Sequence, residues 1–199
     1  TIGAHSLKAH VFKPAPANTA RPAVLLFHGG GWSAGAPDWV YARARSFAAL
    51  GLTAIAVQYR HAGADATPAD AFDDGCAALA WARRNGKRLG YDPARVAAYG
   101  VSAGGQIAAT MTARGCGAFG RPEALLLWSA ALNVVDDRHF QRLMRGADTA
   151  PFSPVQLPLT APTPVSLVHG ELDTVTRLRD ARQFCENMRA AGGRCELHV

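Results

Sequence analysis

Gly100-Val101-Ser102-Ala103-Gly104-Gly105 is the stretch that most limits what this chain can fold into. A strand is predicted over 95–99, directly before it, and an alanine-rich helix over 106–113, directly after it. Gly-x-Ser-x-Gly between a strand and a helix reads as a nucleophile elbow, a turn so tight that small residues must flank the serine. Gly100 and Gly104 meet that demand. The hydroxyl then projects above the carboxyl edge of a sheet, where the first N–H groups of the next helix favour negative charge. The plainer alternative is a solvated serine in a glycine-rich turn, and the flanking strand and helix weigh against it.

The rest of the chain alternates strands with helices. The continuous apolar run 23–27 is that of a strand buried on both faces, and it ends in His28-Gly29-Gly30-Gly31-Trp32. A helix is predicted over 40–50, stopping at Gly51, a residue suited to a C-cap. A second buried strand over 52–57 leads into Gln58-Tyr59-Arg60, and 69–84 reads as a helix. Asp92-Pro93 opens a turn into the strand before the elbow. Further strands are predicted over 124–128 and 165–168, the latter ending in His169-Gly170. A helix over 178–191 and a strand over 194–199 follow. Residues 7–12 alternate weakly, as an edge strand, and 14–22 form a turn-rich connection. Such alternation implies an α/β fold, with a mostly parallel sheet covered by helices on both faces. At 199 residues the chain reads as a single domain over 1–199, without internal repeat or linker. Ligands of such sheets bind at the carboxyl ends of the strands. His28 to Gly31, Ser102 and Asp173 all fall at or just after strand ends.

Composition removes several other classes. Apolar residues make up 49% and charged residues 18%, as in ordinary globular chains. The net charge of +6 is mostly arginine, and its densest run, Arg83-Arg84-Asn85-Gly86-Lys87-Arg88, falls at the end of a predicted helix. Cations there suit the helix dipole, and no aromatics interleave to stack bases, so no nucleic-acid partner is expected. No apolar run is long enough to span a bilayer. No signal peptide is visible at Thr1, which favours the cytoplasm slightly over secretion. The cysteines, Cys76, Cys116, Cys185 and Cys195, lack zinc-ligand spacing. Two readings fit them: a bridge between Cys185 and Cys195, or free buried thiols.

The glycine run exposes backbone N–H groups that no side chain shields. Two of them, with the N–H of Ala103, can hold a developing oxyanion, each donor lowering an acyl-transfer barrier by roughly 3 kcal/mol. A phosphate-binding loop is disfavoured, because no Gly-Lys-Ser/Thr follows. His28 is expected to brace the loop by hydrogen bonding rather than to act as a base. Asp173 suits either of two roles: the acid of a triad, or an N-cap for the helix that follows. Asp136 and Asp137 are the lower-ranked alternative acids.

His28-Gly29-Gly30-Gly31-Trp32, Tyr59-Arg60, Asp92-Pro93-Ala94-Arg95-Val96, the elbow and His169-Gly170-Glu171-Leu172-Asp173 occur in order. Together they resemble the α/β-hydrolase fold in its esterase/lipase branch, related to hormone-sensitive lipase, small carboxylesterases and acetylxylan esterases. The resemblance implies a serine hydrolase of carboxylic esters, with Ser102 as nucleophile and Asp173 orienting the catalytic histidine. Gly30, Gly31 and Ala103 would supply the oxyanion-hole N–H groups. It implies a small-molecule ester substrate and calls for no cofactor and no metal. Triad order in this fold is Ser, Asp or Glu, then His. Only His198 follows Asp173, and it lies within the last predicted strand on the face of Arg194 and Glu196. The base is therefore expected beyond Val199, in a C-terminal end missing from the sequence, with His198 as fallback.

The short segment before His28 implies an open site for small or exposed acyl groups. The long connection 133–163, with Pro151, Pro154, Pro158 and Pro162, reads as a lid or binding loop, or else as a surface insertion away from substrate. Trp32 suits either pocket lining or packing. The rival functions are an arylformamidase of the kynurenine-formamidase kind, a peptidase, and a catalytically silent binding protein.

Overall fold

Runs of small and branched apolar residues, too short for helices and without polar alternation, build the centre of the molecule. The computed structural model describes residues 6–16, 20–159 and 163–199; Thr1 and Pro162 lie outside them, as do 17–19 of the turn-rich connection. The strands are β1 (Ala9–Phe12), β2 (Arg21–Phe27), β3 (Thr53–Val57), β4 (Tyr91–Val101), β5 (Leu125–Trp128), β6 (Val165–Val168) and β7 (Cys195–His198). They form one sheet in the order β1-β3-β2-β4-β5-β6-β7. Only β1 runs antiparallel, at the β3 edge; every other pairing is parallel.

The helices are α1 (Tyr41–Ala49), α2 (Pro68–Leu89), α3 (Ala103–Arg114), α4 (Arg138–Leu143) and α5 (Leu178–Ala190). They cover both faces, unevenly. Leu25, Phe27, Ile55, Ala98, Leu127 and Leu167 on one face pack with Leu79 of α2, Ile107 and Met111 of α3 and Phe184 of α5. Val24, Leu26, Ala54, Ala56 and Tyr99 on the opposite face pack with Ala44 and Phe47 of α1. Strand residues alternate between these clusters with period two, which is why the buried runs are apolar at every position.

Two predicted boundaries shift by four residues or more, the end of α2 and the start of β4. α2 runs through the basic stretch to Leu89, because Lys87 and Arg88 stand in its last turn and Gly90 closes it in the left-handed conformation (φ 89°). β4 starts at Tyr91, which pairs with Arg21. Asp92 and Pro93 fall inside β4, where the register shifts, and Asp92 Oδ1 accepts from Ala94 N at 2.9 Å. The turn chemistry is present as an irregularity in a strand.

Two disulfides join all four cysteines. Cys185–Cys195 ties α5 to β7, and Cys76–Cys116, not paired in the sequence reading, ties α2 to the turn after α3. Their sequence separations are 40 for Cys76–Cys116 and 10 for Cys185–Cys195. Loops of that size remove unfolded-state entropy worth roughly 4 and 3 kcal/mol respectively. Reduction should therefore lower the urea midpoint, and Cys76→Ala with Cys116→Ala should cost more stability than Cys185→Ala with Cys195→Ala. Denaturation curves with and without dithiothreitol check this, and an unchanged midpoint contradicts it.

Among the described residues no helix is long and apolar enough to cross a membrane, and no group of three or more His, Cys, Asp or Glu is arranged to hold a metal ion.

Candidate active site

The parallel register sets the floor of the site. Val101, Trp128, Val168 and His198 stand in one row across β4, β5, β6 and β7. The rungs continue one residue past the strands: Ser102 N donates to Trp128 O at 3.1 Å, Ser129 N to Val168 O at 2.9 Å and His169 N to His198 O at 2.9 Å. Whatever follows each strand therefore emerges side by side on one rim.

Ser102 sits between β4 and α3 at φ 52°, ψ −120°. A non-glycine residue at positive φ costs about 1–3 kcal/mol and persists only where its surroundings enforce it. Here the enforcement is visible. A Cβ on Gly100 would come within 2.3 Å of Gly104 O, and one on Gly104 within 2.3 Å of His28 O and 2.4 Å of Phe27 O. The helix start packs directly on the end of β2, so the turn closes only with hydrogen in those places. Ala103, the first residue of α3, is fully buried.

The glycine turn lies against this serine. A Cβ on Gly29 would stand 3.3 Å from Ser102 Cβ. Gly30 (φ 127°), Gly31 (φ 56°) and Trp32 (φ 60°) carry the chain round. His28 braces it as expected: its buried Nδ1 donates to Gly29 O at 2.6 Å, its ring stacks on Tyr59 at 4.3 Å, and Tyr59 OH donates to His28 O at 2.8 Å. Burial holds the His28 pKa below the usual value, so the ring is neutral and serves as a donor rather than a cation. The carbonyl of Gly30 accepts from Ser33 N (3.2 Å) and Ala34 N (3.0 Å). In a planar trans peptide the N–H points opposite to the C=O. Tying the carbonyls of Gly29 and Gly30 thus fixes the directions of the Gly30 and Gly31 N–H groups.

Asp173 lies on the turn after β6. Its Oδ1 accepts from Val175 N and Thr176 N, both at 2.9 Å, and its Oδ2 from Thr176 Oγ1 at 2.8 Å. Burial pushes this carboxyl up, but the bonds from Thr176, Val175 and the Ser129 side chain outweigh it and hold its pKa below the usual range. It does not cap α5, whose N-cap is Arg177. His169 repeats the arrangement of His28: it is buried, it follows a strand, and its Nε2 donates to Thr176 O at 2.7 Å. Two His-Gly steps thus secure the two loops of the rim.

A cavity of about 780 Å³ opens between these loops. Ser102, Gly31 and Trp32 line it with Thr174 to Thr176, next to Asp173, and with Asn133, Asp136, Asp137, Arg138 and His139 of the 133–163 connection. That connection folds partly as α4, so it is helical and also borders the cavity. Trp32 both lines it and packs on Phe140 at 4.8 Å. Asp137 is spent on capping α4, accepting from His139 N and Phe140 N, and Asp136 accepts from Asn133 Nδ2 at 3.1 Å. His198 is exposed on β7 beside Glu196, and it does not line the cavity. Sequence reasoning missed Ser129 as a partner of Asp173, and Gln106, which accepts from Trp32 Nε1 at 2.9 Å and donates to Phe152 O at 2.7 Å. It also missed His139. Only its place after a strand end marked Ser129; nothing local marked the other two.

Comparison with known proteins identifies the family to which this fold belongs. Residues 24–154 match the family model described as alpha/beta hydrolase fold. Carboxylesterase NlhH of Mycobacterium tuberculosis is 40% identical over 111 residues, which are 55% of this chain and 34% of the relative. The match thus spans about a third of that relative's length. Esterase 2 of Thermogutta terrifontis, phosphoramylated by tabun, superposes with a TM-score of 0.87 at 29% identity, covering 96% of this chain and 76% of that one. Its butyrate-bound form gives a TM-score of 0.86 at 29% identity, covering 96% and 77%.

Proposed function

The chain belongs to the alpha/beta hydrolase fold family, and from that premise we propose that it hydrolyses carboxylic esters of small acyl groups through an acyl-enzyme on Ser102. The observation that carries this is the strained elbow: Ser102 at φ 52°, packed against Gly29 and sharing one cavity with Gly31. In this reading the Ser102 oxygen attacks the ester carbonyl. The N–H groups of Gly30, Gly31 and Ala103 receive the oxyanion, held in place before charge develops. The alcohol leaves with the proton taken from Ser102, and water then releases the acid.

Asp173 is assigned the orienting carboxylate, because it is ionised, pinned by four donors and adjacent to the cavity. The proton carrier is a histidine. Among the described residues, His28 and His169 are bonded to their own loops, His139 to Gly31 O and His10 to Tyr41 OH, while His61, packed against His28 and Tyr59, and the exposed His198 do not line the cavity. The row Val168–His198 directs the chain after β7 onto the rim beside His169. A histidine carried on that rim would complete the triad with Ser102 and Asp173.

The small-acyl assignment follows the open cavity and the structure of Thermogutta terrifontis esterase 2 with butyrate bound. The two disulfides favour an oxidising compartment over the cytoplasm, since bridges persist where thiols are not kept reduced. In full-length protein, p-nitrophenyl acetate and butyrate should turn over faster than the decanoate, and all three faster than an N-formyl arylamine. Preferred formamide turnover would instead assign an arylformamidase. A folded protein that cleaves none of them would be a binding module.

A further inference from the structure

We propose that His139, from the connection between β5 and β6, is a positioning residue for the oxyanion turn; this rests on the ester-hydrolase reading above. Three consecutive peptide groups form that turn, and each carbonyl has a partner. Gly29 O accepts from His28 Nδ1, Gly30 O from Ser33 N and Ala34 N, and Gly31 O from His139 Nε2 at 3.0 Å. The first two partners are local. The third comes from 108 residues away along the chain. Gly31 is the glycine that lines the cavity with Ser102, and its φ of 56° leaves it a wide conformational range unless its carbonyl is held. A Cβ on Gly31 would meet His139 Nε2 at 3.3 Å, so the imidazole lies directly over this residue.

The connection is itself anchored. Gln106, on the helix that follows Ser102, bonds Trp32 Nε1 with its oxygen and Phe152 O with its amide nitrogen. Asp137 fixes the His139 backbone, with Oδ1 accepting from His139 N at 2.8 Å. His139 therefore reaches Gly31 from a connection tied to the helix that directly follows the nucleophile. The 133–163 connection acts as a buttress of the turn. The His139 bond fixes the Gly31–Trp32 peptide, and the bonds to Gly30 O fix the Gly30–Gly31 peptide, so that Gly31 is clamped from both sides in the conformation the transition state requires; the bond contributes little to ground-state binding.

The test uses full-length protein and a short-chain aryl ester. His139→Phe keeps a ring beside Trp32 but removes the donor; His139→Gln keeps an N–H donor but removes the ring. The expected result is a loss of about tenfold in kcat with little change in KM for His139→Phe, the size of one hydrogen bond. His139→Gln should recover most of the wild-type kcat. The ¹⁵N resonance of the Trp32 amide, which shares its peptide group with Gly31 O, should shift in His139→Phe and not in His139→Gln. Equal kcat in wild type and His139→Phe overturns the proposal. So does a His139→Gln as impaired as His139→Phe, which would assign the effect to ring packing. A wild-type protein that turns over no ester overturns the hydrolase reading and this role with it. The Trp32 resonance tells that outcome apart from failure of the bond itself.

Discussion

Ser102→Ala should lower kcat by about 10⁴–10⁶-fold while leaving the fold intact. The size follows from the chemistry: alanine has no oxygen to acylate, and only binding and the N–H groups of the turn remain to help water attack. That the fold survives follows from the backbone. Ser102 holds φ 52° because Gly100, Gly104 and the end of β2 leave the chain no other path, and alanine bears the same strain as serine. The Ser102 backbone bonds, from its N to Trp128 O and from Gln106 N and Ala131 N to its O, do not involve the side chain. Ester turnover and thermal melting, measured on the same preparation, check both parts. Residual activity within tenfold of wild type would place the nucleophile elsewhere.

Asp173→Asn should lower kcat by about 10⁴-fold, with a smaller effect on KM. Asparagine is nearly isosteric and keeps an oxygen to accept from Val175 N and Thr176 N. What it loses is the charge that stabilises an imidazolium and the acceptor that selects the histidine tautomer. The control is built into the connection after β5. Asp137 Oδ1 accepts from His139 N and Phe140 N, and Asp136 binds Asn133; asparagine can serve both purposes. Asp136→Asn and Asp137→Asn should therefore stay within about threefold of wild type, the range of a modest hydrogen-bond change. Loss of activity in either, with Asp173→Asn active, would reverse the assignment of the acid.

The parts of the fold that were legible in the sequence are those decided by local sterics and burial. Runs such as 23–27 and 165–168 suit only strands covered on both faces, and the elbow announces itself because Gly100 and Gly104 have no room for a methyl group. The bracing role of His28 was legible because a histidine at a strand end beside glycines has a carbonyl within reach. Asp173 was half legible: its place after β6 marked it, but only the turn geometry separates a carboxylate bound by Val175, Thr176 and Ser129 from a helix cap. The remainder depended on contacts distant in sequence. Cys76 and Cys116 meet only once α2 and α3 pack together. Likewise His139 reaches Gly31 only through the path of the connection between β5 and β6, which carries no periodic signal. The predicted helix stops at residue 84, inside its basic end, because the pattern alone does not show that Gly90 is the residue that closes α2 after Leu89.

The most direct test is covalent labelling of full-length protein with a fluorophosphonate probe, followed by mass spectrometry of the digested chain. The account predicts near-stoichiometric modification confined to the peptide that contains Ser102, and none in Ser102→Ala. An unlabelled wild-type protein, or a label that persists in Ser102→Ala, would contradict it.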